Sequence, residues 1–223
     1  MKREELAKMI DHTLLGPTAS EDAVKTLCDE AHANGFASVC INPCHVVLAR
    51  ELLADSPVKV CAVIGFPHGM NAASVKGMEA ERAIADGADE LDMVINVAAL
   101  KEKAHRRVHE DIARVCDAAR GARRKVEVKA ILEVALLTEE EITFGAVLAK
   151  AAGADFVKTS TGFGPGGATT EAVSLMRQTV GADIGVKAAG GIRDYETAAA
   201  MIEAGATRIG ASRSLAILEG AEE

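Results

Sequence analysis

Eight short apolar runs, rich in Val, Ile, Leu and Ala, alternate with helical stretches along this chain. The runs cover 9–14, 37–41, 58–65, 90–95, 125–132, 155–158, 184–187 and 207–210. The helical stretches cover 20–34, 43–54, 72–86, 97–121, 138–152, 169–180, 194–204 and 213–218. Five runs follow within a few residues of Gly35, Gly87, Gly153, Gly181 or Gly205. Each of these stands where a helix C-terminus takes up the left-handed conformation. Helix starts are marked as well. Ser20 precedes an acidic turn, Thr138 precedes three glutamates, and Pro43 suits a first helical position. Strands alternating with helices build βαβ units and a parallel sheet. Eight units in 223 residues predict a closed (β/α)8 TIM barrel, one domain over 1–223. An open doubly wound sheet is the alternative, but no G-x-G-x-x-G follows the first run, which removes support for its dinucleotide-binding form.

Strand side chains alternate between faces. With the β-branched set turned to the helices, the barrel axis receives Asp11, Cys40, Asp92, Lys158, Lys187 and Ser212. These come from six runs and lie toward strand C-terminal ends, where barrel enzymes keep their chemistry. The fifth run adds Glu127, Lys129, Ile131 and Glu133, whose alternating charges read as a structural ion-pair ladder.

The two lysines carry the sharpest chemical signal. Lys158 stands in Phe156-Val157-Lys158-Thr159-Ser160-Thr161-Gly162 and Lys187 in Gly185-Val186-Lys187-Ala188-Ala189-Gly190-Gly191. An ammonium is costly to bury unpaired. On neighbouring parallel strands each disfavours the other's charge, and a neutral amine adds to a carbonyl to form an iminium. A carbon–carbon bond is then made or broken through an enamine, as in a Schiff-base aldolase. Asp92 serves equally as counter-ion or as proton relay. If carboxylates neutralise both lysines, the pair is structural only. Asp11 reads as an ion-pair partner or as an orienter of a substrate hydroxyl.

Glycine-rich loops end the last three strands: 161–167, 190–193 and 210–213. Backbone N–H groups approach an anion closely there, and barrels often bind phosphate after strands seven and eight. Tight turning alone is the plainer explanation. Cys40 reads as packing before nucleophile. His12, His45 and His68 read as bystanders or hydrogen-bonded supports, and 65–69 as a rigid loop shaping the mouth.

Composition narrows the partners. Aromatic residues make up 3% of the chain against 49% hydrophobic, so the core is aliphatic. A net charge of −8 argues against nucleic acid and anionic membranes. The basic clusters at 106–107 and 123–125 read as solvated faces. Five cysteines without a CxxC fit a reducing compartment, and the Cys40/Cys44 spacing lacks partners for a metal site. The start of the chain has no signal-peptide core and no run reaches membrane-spanning length. A cytoplasmic protein is expected, acting on small molecules and assembling as a homo-oligomer, dimer or tetramer.

Segments 10–15, 38–43, 63–67, 87–96, 156–164 and 186–193 together resemble the 2-deoxyribose-5-phosphate aldolase family nearly end to end. The resemblance implies a (β/α)8 class I aldolase that reversibly cleaves 2-deoxy-D-ribose 5-phosphate into acetaldehyde and glyceraldehyde 3-phosphate. Neither metal nor cofactor takes part. Lys158 would be the Schiff-base lysine, Lys187 the residue depressing its pKa, and Asp92 the proton donor and acceptor. Gly162, Gly190, Gly191 and Ser212 would hold phosphate, with Asp11, Cys40 and Thr159 also at the substrate. Three departures stand out. Phe163 stands where some members carry a phosphate-holding lysine, Arg213 follows Ser212 where many relatives have a second serine, and the tail 219–223 lacks the terminal tyrosine of some members. Arg213 is either a phosphate contact or an exposed helix-start residue. Two rivals remain: a phosphate-binding barrel isomerase or lyase without an imine, and a non-catalytic sugar-phosphate sensor.

Overall fold

In the computed structural model, which describes residues 1–222, eight parallel strands close into a barrel in chain order. They are β1 (Ile10–Leu14), β2 (Ser38–Ile41), β3 (Lys59–Ile64), β4 (Glu90–Val94), β5 (Glu127–Ile131), β6 (Phe156–Lys158), β7 (Gly185–Ala189) and β8 (Arg208–Ala211). The helices are α1 (Arg3–Ala7), α2 (Glu21–Asn34), α3 (Val46–Leu52), α4 (Ala73–Asp86), α5 (Val97–Lys101), α6 (His105–Arg120), α7 (Glu139–Ala152), α8 (Thr170–Val180), α9 (Tyr195–Glu203) and α10 (Ser214–Glu219). The expected (β/α)8 architecture is therefore the observed one. Glu223, last residue of the tail, lies outside the described residues.

Local chemistry sets most boundaries. Ser20 Oγ accepts the Ala23 N–H at 3.2 Å, and Thr138 with Glu141 forms a reciprocal capping box. The five helix-ending glycines all take positive φ. Two helical stretches differ from expectation. The stretch 97–121 breaks because Lys103 turns left-handed (φ 56°), ending α5 and redirecting the chain so that α6 packs on α4 and α7. The stretch 43–54 opens with a 3-10 turn, Pro43–His45, and α3 stops at Leu52. The short helix α1, held by buried Leu6 and Ala7, has no counterpart in the sequence reading.

The apolar core lies between barrel and helices. Ile10, Val39, Ile41, Val60, Ile64, Leu91, Met93, Val128, Val157, Val186 and Ile209 turn outward to meet helix residues such as Val24, Ala80, Ile112, Ala146 and Val173. Burial of such side chains is worth roughly 1.5–3 kcal/mol each. The axis is different: it is charged, with one small apolar cluster of Leu15, Cys40, Cys61 and Val63. Phe156 fills its floor, near Lys129 and Arg208 at 6.0 and 5.4 Å from the ring centroid. Gly185 makes that possible, since a Cβ there would lie 2.1 Å from the ring.

Candidate active site

Register brings the polar residues together. Asp92 pairs with Lys129 across β4 and β5, and Lys158 with Lys187 across β6 and β7. Residues in register on parallel strands share a face, so all four reach the axis. Asp92 Oδ2 accepts Lys158 Nζ and Lys187 Nζ, each at 2.7 Å, and Oδ1 accepts Lys129 Nζ at 2.8 Å. Below them, Asp11 pairs with Lys187 at 2.5 Å and with Arg208 at 2.6 Å. Glu90 pairs with Lys129 at 2.6 Å and with Arg208 at 3.0 Å.

The balance of charge in this network is uneven. Lys129, Lys158, Lys187 and Arg208 are four buried cationic side chains, facing three buried carboxylates, Asp11, Glu90 and Asp92. At the solvent edge Lys59 bridges Glu90 and Glu127, each at 3.0 Å, and Glu127 also pairs with Lys125 at 3.0 Å, so the edge adds no negative charge to offset the surplus. Burial alone would raise the Asp92 carboxyl, but Lys129, Lys158 and Lys187 together hold it well below the usual carboxylate range. Burial likewise opposes the Lys187 and Lys129 ammoniums. Asp11 and Asp92 outweigh it at Lys187, and Asp92 and Glu90 do so at Lys129, so both rise above the usual lysine value.

Above the network the barrel opens into a cavity of ≈ 360 Å³. Lys158 lines it, with Thr161, Gly162, Phe163, Gly190, Gly191, Arg193 and Ser212. Gly190 and Gly191 are both left-handed (φ 89° and 83°), and the Gly190 carbonyl would lie 2.1 Å from a Cβ on Gly167. Only glycine lets these two loops meet and expose backbone to a ligand. A larger hollow of ≈ 470 Å³ lies outside the barrel between α7 and α8, away from the axis lysines.

The expected site residues separate into groups. Lys158, Gly162, Gly190, Gly191 and Ser212 line the cavity, and Lys187 and Asp92 lie in contact directly beneath it. Ser212 sits past the end of β8 and is exposed, at the mouth and not on the axis. Asp11 and Cys40 are buried in the network and its small apolar cluster, out of the cavity. Thr159 points outward. Its hydroxyl donates to the Ala189 carbonyl and accepts the Ala189 N–H, both at 3.0 Å, clipping β6 to β7. Arg213 precedes α10 and is exposed, whereas Arg193 takes the cavity wall.

Sequence reasoning missed three participants. Lys129, which the alternation of charges reads as a ladder rung, is the third lysine on Asp92. Arg208 shares parity with Ser212 and was legible on that ground. Cys61 escaped notice because only Cys40 and Cys44 are near in sequence. In space Cys44 is exposed, while Cys40 and Cys61 pair across β2 and β3. Their thiols and Asp92 form the one cluster of metal-ligand type found among the described residues. Three ammoniums already engage that carboxylate, so the residues do not fit a cation. His12 bonds Ser214 and Glu30 at 2.9 and 2.7 Å, a support outside the barrel.

Lysines and a carboxylate under a glycine-built mouth, at the C-terminal ends of barrel strands, define an enzyme of the (β/α)8 aldolase class. The family described as DeoC/LacD family aldolase matches residues 6–220, and the chain belongs to it. It is 58% identical over 220 residues to the deoxyribose-phosphate aldolase of Clostridium perfringens (strain SM101 / Type A), covering 99% of this chain and 97% of the relative. The Enterococcus faecalis (strain ATCC 700802 / V583) deoxyribose-phosphate aldolase is 58% identical over 217 residues, with 97% of each chain covered. Among solved structures, the Aeropyrum pernix deoxyribose phosphate aldolase, described as a unique tetramer, superposes with a TM-score of 0.91 at 35% identity. That match covers 98% of this chain and 91% of the other. No described helix is long and apolar enough to cross a membrane.

Proposed function

We propose that the chain, as one catalytic unit spanning 1–223, is a class I deoxyribose-phosphate aldolase of the cytoplasm. It cleaves 2-deoxy-D-ribose 5-phosphate reversibly into acetaldehyde and D-glyceraldehyde 3-phosphate, a reading supported by its relatives being named deoxyribose-phosphate aldolases. Lys158 is the nucleophile, and the surplus of one cation over carboxylates carries this assignment. Releasing one ammonium proton brings the buried network to neutrality. Lys158 is the member of the four that borders the cavity, so its amine meets the substrate.

In the cleavage direction the Lys158 amine adds to the C1 aldehyde, and loss of water gives an iminium. The C3 hydroxyl proton leaves, the C2–C3 bond breaks, and its electron pair passes to the iminium to form an enamine. Protonation at the enamine carbon and hydrolysis then release acetaldehyde. Asp92 relays protons, 2.7 Å from nitrogen 158. When that nitrogen is neutral, as carbinolamine or enamine, one of three charges holding Asp92 down is gone, and its carboxylate becomes a better base. Lys187 and Lys129 stay cationic on their carboxylates. Gly162, Gly190, Gly191 and Ser212 receive the phosphate, with Arg193 as its charged neighbour. The mechanism draws on no metal and no cofactor, and assembly as a homo-oligomer is part of the proposal.

Borohydride with acetaldehyde tests the assignment. An N-ethyl group on Lys158, located by peptide mass spectrometry, is the expected result. An adduct on Lys187 or Lys129 would reassign the nucleophile. The Lys158–Asp92 ion pair favours a second reading, in which the lysines act only electrostatically. Acetaldehyde release that is insensitive to borohydride would select it.

A further inference from the structure

Glu133 stands two residues past β5 in a left-handed backbone conformation, φ 60° and ψ 60°, one of two non-glycine residues with positive φ among those described. Such a conformation costs about 1–3 kcal/mol and persists only where surroundings enforce it. Simple alternation points this side chain to the axis. The left-handed turn sends it instead to the loop after β6. There Glu133 is buried, and no ion pair to its carboxylate is found among the described residues. Its oxygens accept the Thr161 hydroxyl and lie 3.3 and 3.4 Å from the Thr161 N–H. Thr161 Oγ1 in turn accepts the Phe163 N–H at 3.0 Å. A Cβ on Gly164 would lie 2.9 Å from the Glu133 carboxyl carbon, so the loop closes tightly over the acid.

The loop has two sides. Its outer side faces Glu133, and its inner side, through Thr161, Gly162 and Phe163, forms a wall of the substrate cavity. We infer that Glu133 is a positioning residue, which fixes residues 161–164 so that the Gly162 backbone stands ready for the phosphorylated end of the substrate, with the Phe163 ring as part of the same wall. A buried carboxylate held by a hydroxyl and an N–H is anchored without a cation, and desolvation of the acid makes losing either bond costly. The strain at residue 133 is thereby coupled to the geometry of the phosphate wall. This rests on the phosphate reading of that wall, and the test separates the two.

Kinetics of Glu133→Gln, Glu133→Ala and Glu133→Gly with 2-deoxyribose 5-phosphate and with unphosphorylated 2-deoxyribose provide that test. Glu133→Gly relieves the left-handed strain, which offsets part of the cost of leaving Thr161 without its acceptor and makes it the milder of the two deletions. For both the alanine and glycine variants, KM for the phosphorylated sugar should rise about tenfold or more, with kcat within about threefold, as for lost ground-state binding. kcat/KM for the unphosphorylated sugar should stay within about twofold, and borohydride trapping of acetaldehyde should be unchanged. Glu133→Gln, which keeps one acceptor oxygen, should recover part of the loss. Equal losses on both sugars, or none on either, would overturn the inference. If the wild-type enzyme itself shows no preference for the phosphorylated sugar, the phosphate pocket fails, whatever Glu133 does.

Discussion

Two buried lysine–carboxylate arrangements coexist in this molecule and behave oppositely. Outside the barrel, Lys76 on α4 meets Asp111 on α6 one to one, at 2.6 Å, and both are buried. Backbone ties both down: Lys76 also donates to the Val94 carbonyl at 2.8 Å, and Asp111 accepts the Asn96 N–H at 3.0 Å. Burial is the dominant influence on both, pushing Asp111 up and Lys76 down toward their neutral forms. On the axis, one carboxylate serves three lysines. There the charges outweigh burial, and Asp92 goes down while Lys187 and Lys129 go up. A lone buried pair holds two elements together. A crowded cluster with surplus positive charge holds its acid ionised, directly beneath a cavity. Burial and pairing alone do not separate structure from chemistry here; stoichiometry and access to a cavity do.

The largest effect expected from this contrast is catalytic. Lys158→Ala should lower kcat for cleavage on the order of 10⁴-fold or more, as when a nucleophile is removed from other covalent enzymes. Yet it takes one cation from a surplus and leaves no carboxylate without a partner. The urea midpoint should therefore hold or rise. A large fall would mean that Lys158 is structural, like Lys76. The converse change is Lys76→Met, which strands Asp111. It should cost about 3–5 kcal/mol of stability while kcat at low temperature changes less than about tenfold. Replacing both partners by Lys76→Met and Asp111→Leu should return part of the stability, since an apolar pair avoids the cost of a stranded charge but still leaves the Val94 carbonyl and Asn96 N–H without these partners. If the double variant is no better than the single one, the pair does more than brace α4 against α6.

Much of this was legible in the chain. Helix-ending glycines and alternating runs fixed the eight units, because they report backbone conformation and burial directly. Strand parity put Asp92, Lys158 and Lys187 on one face, and register then made them neighbours. What parity could not supply was long-range stoichiometry. Lys129 has the same parity as its run-mates Glu127 and Ile131, and nothing local says that its ammonium crosses to Asp92 instead of pairing along its own strand. Glu133 shows another limit: one left-handed residue reverses the side to which a side chain points. Thr159 and Arg213 sit beside the cavity-lining Lys158 and Ser212 in sequence, but alternation and the start of α10 send them elsewhere. Lys76 was invisible as a buried group, since a lysine inside a helical stretch reads as solvated.

The smallest effect, and the one that separates the two arrangements by sign, is the pH dependence of stability. Glu127 at the barrel floor is subject to burial, which would raise it, but Lys59 and Lys125 hold it down at about 2. Asp92 is depressed too. A carboxylate with a depressed folded-state pKa binds fewer protons folded than unfolded. Its stabilisation is present above the unfolded value, about 4, and is lost as pH falls below that toward the folded value. Asp111 is raised, so its contribution runs the other way: stability grows as pH falls through its elevated pKa toward the unfolded value. The wild type should therefore lose stability from about pH 5 to pH 3, with Asp111 partly offsetting the loss. Urea unfolding across that range, at constant m-value, reads the balance. Glu127→Gln should make the decline shallower. Asp111→Asn, though less stable at every pH, should make it steeper. A shallower decline in Asp111→Asn would place Asp111 with the axis carboxylates and erase the distinction between the lone pair and the crowded cluster.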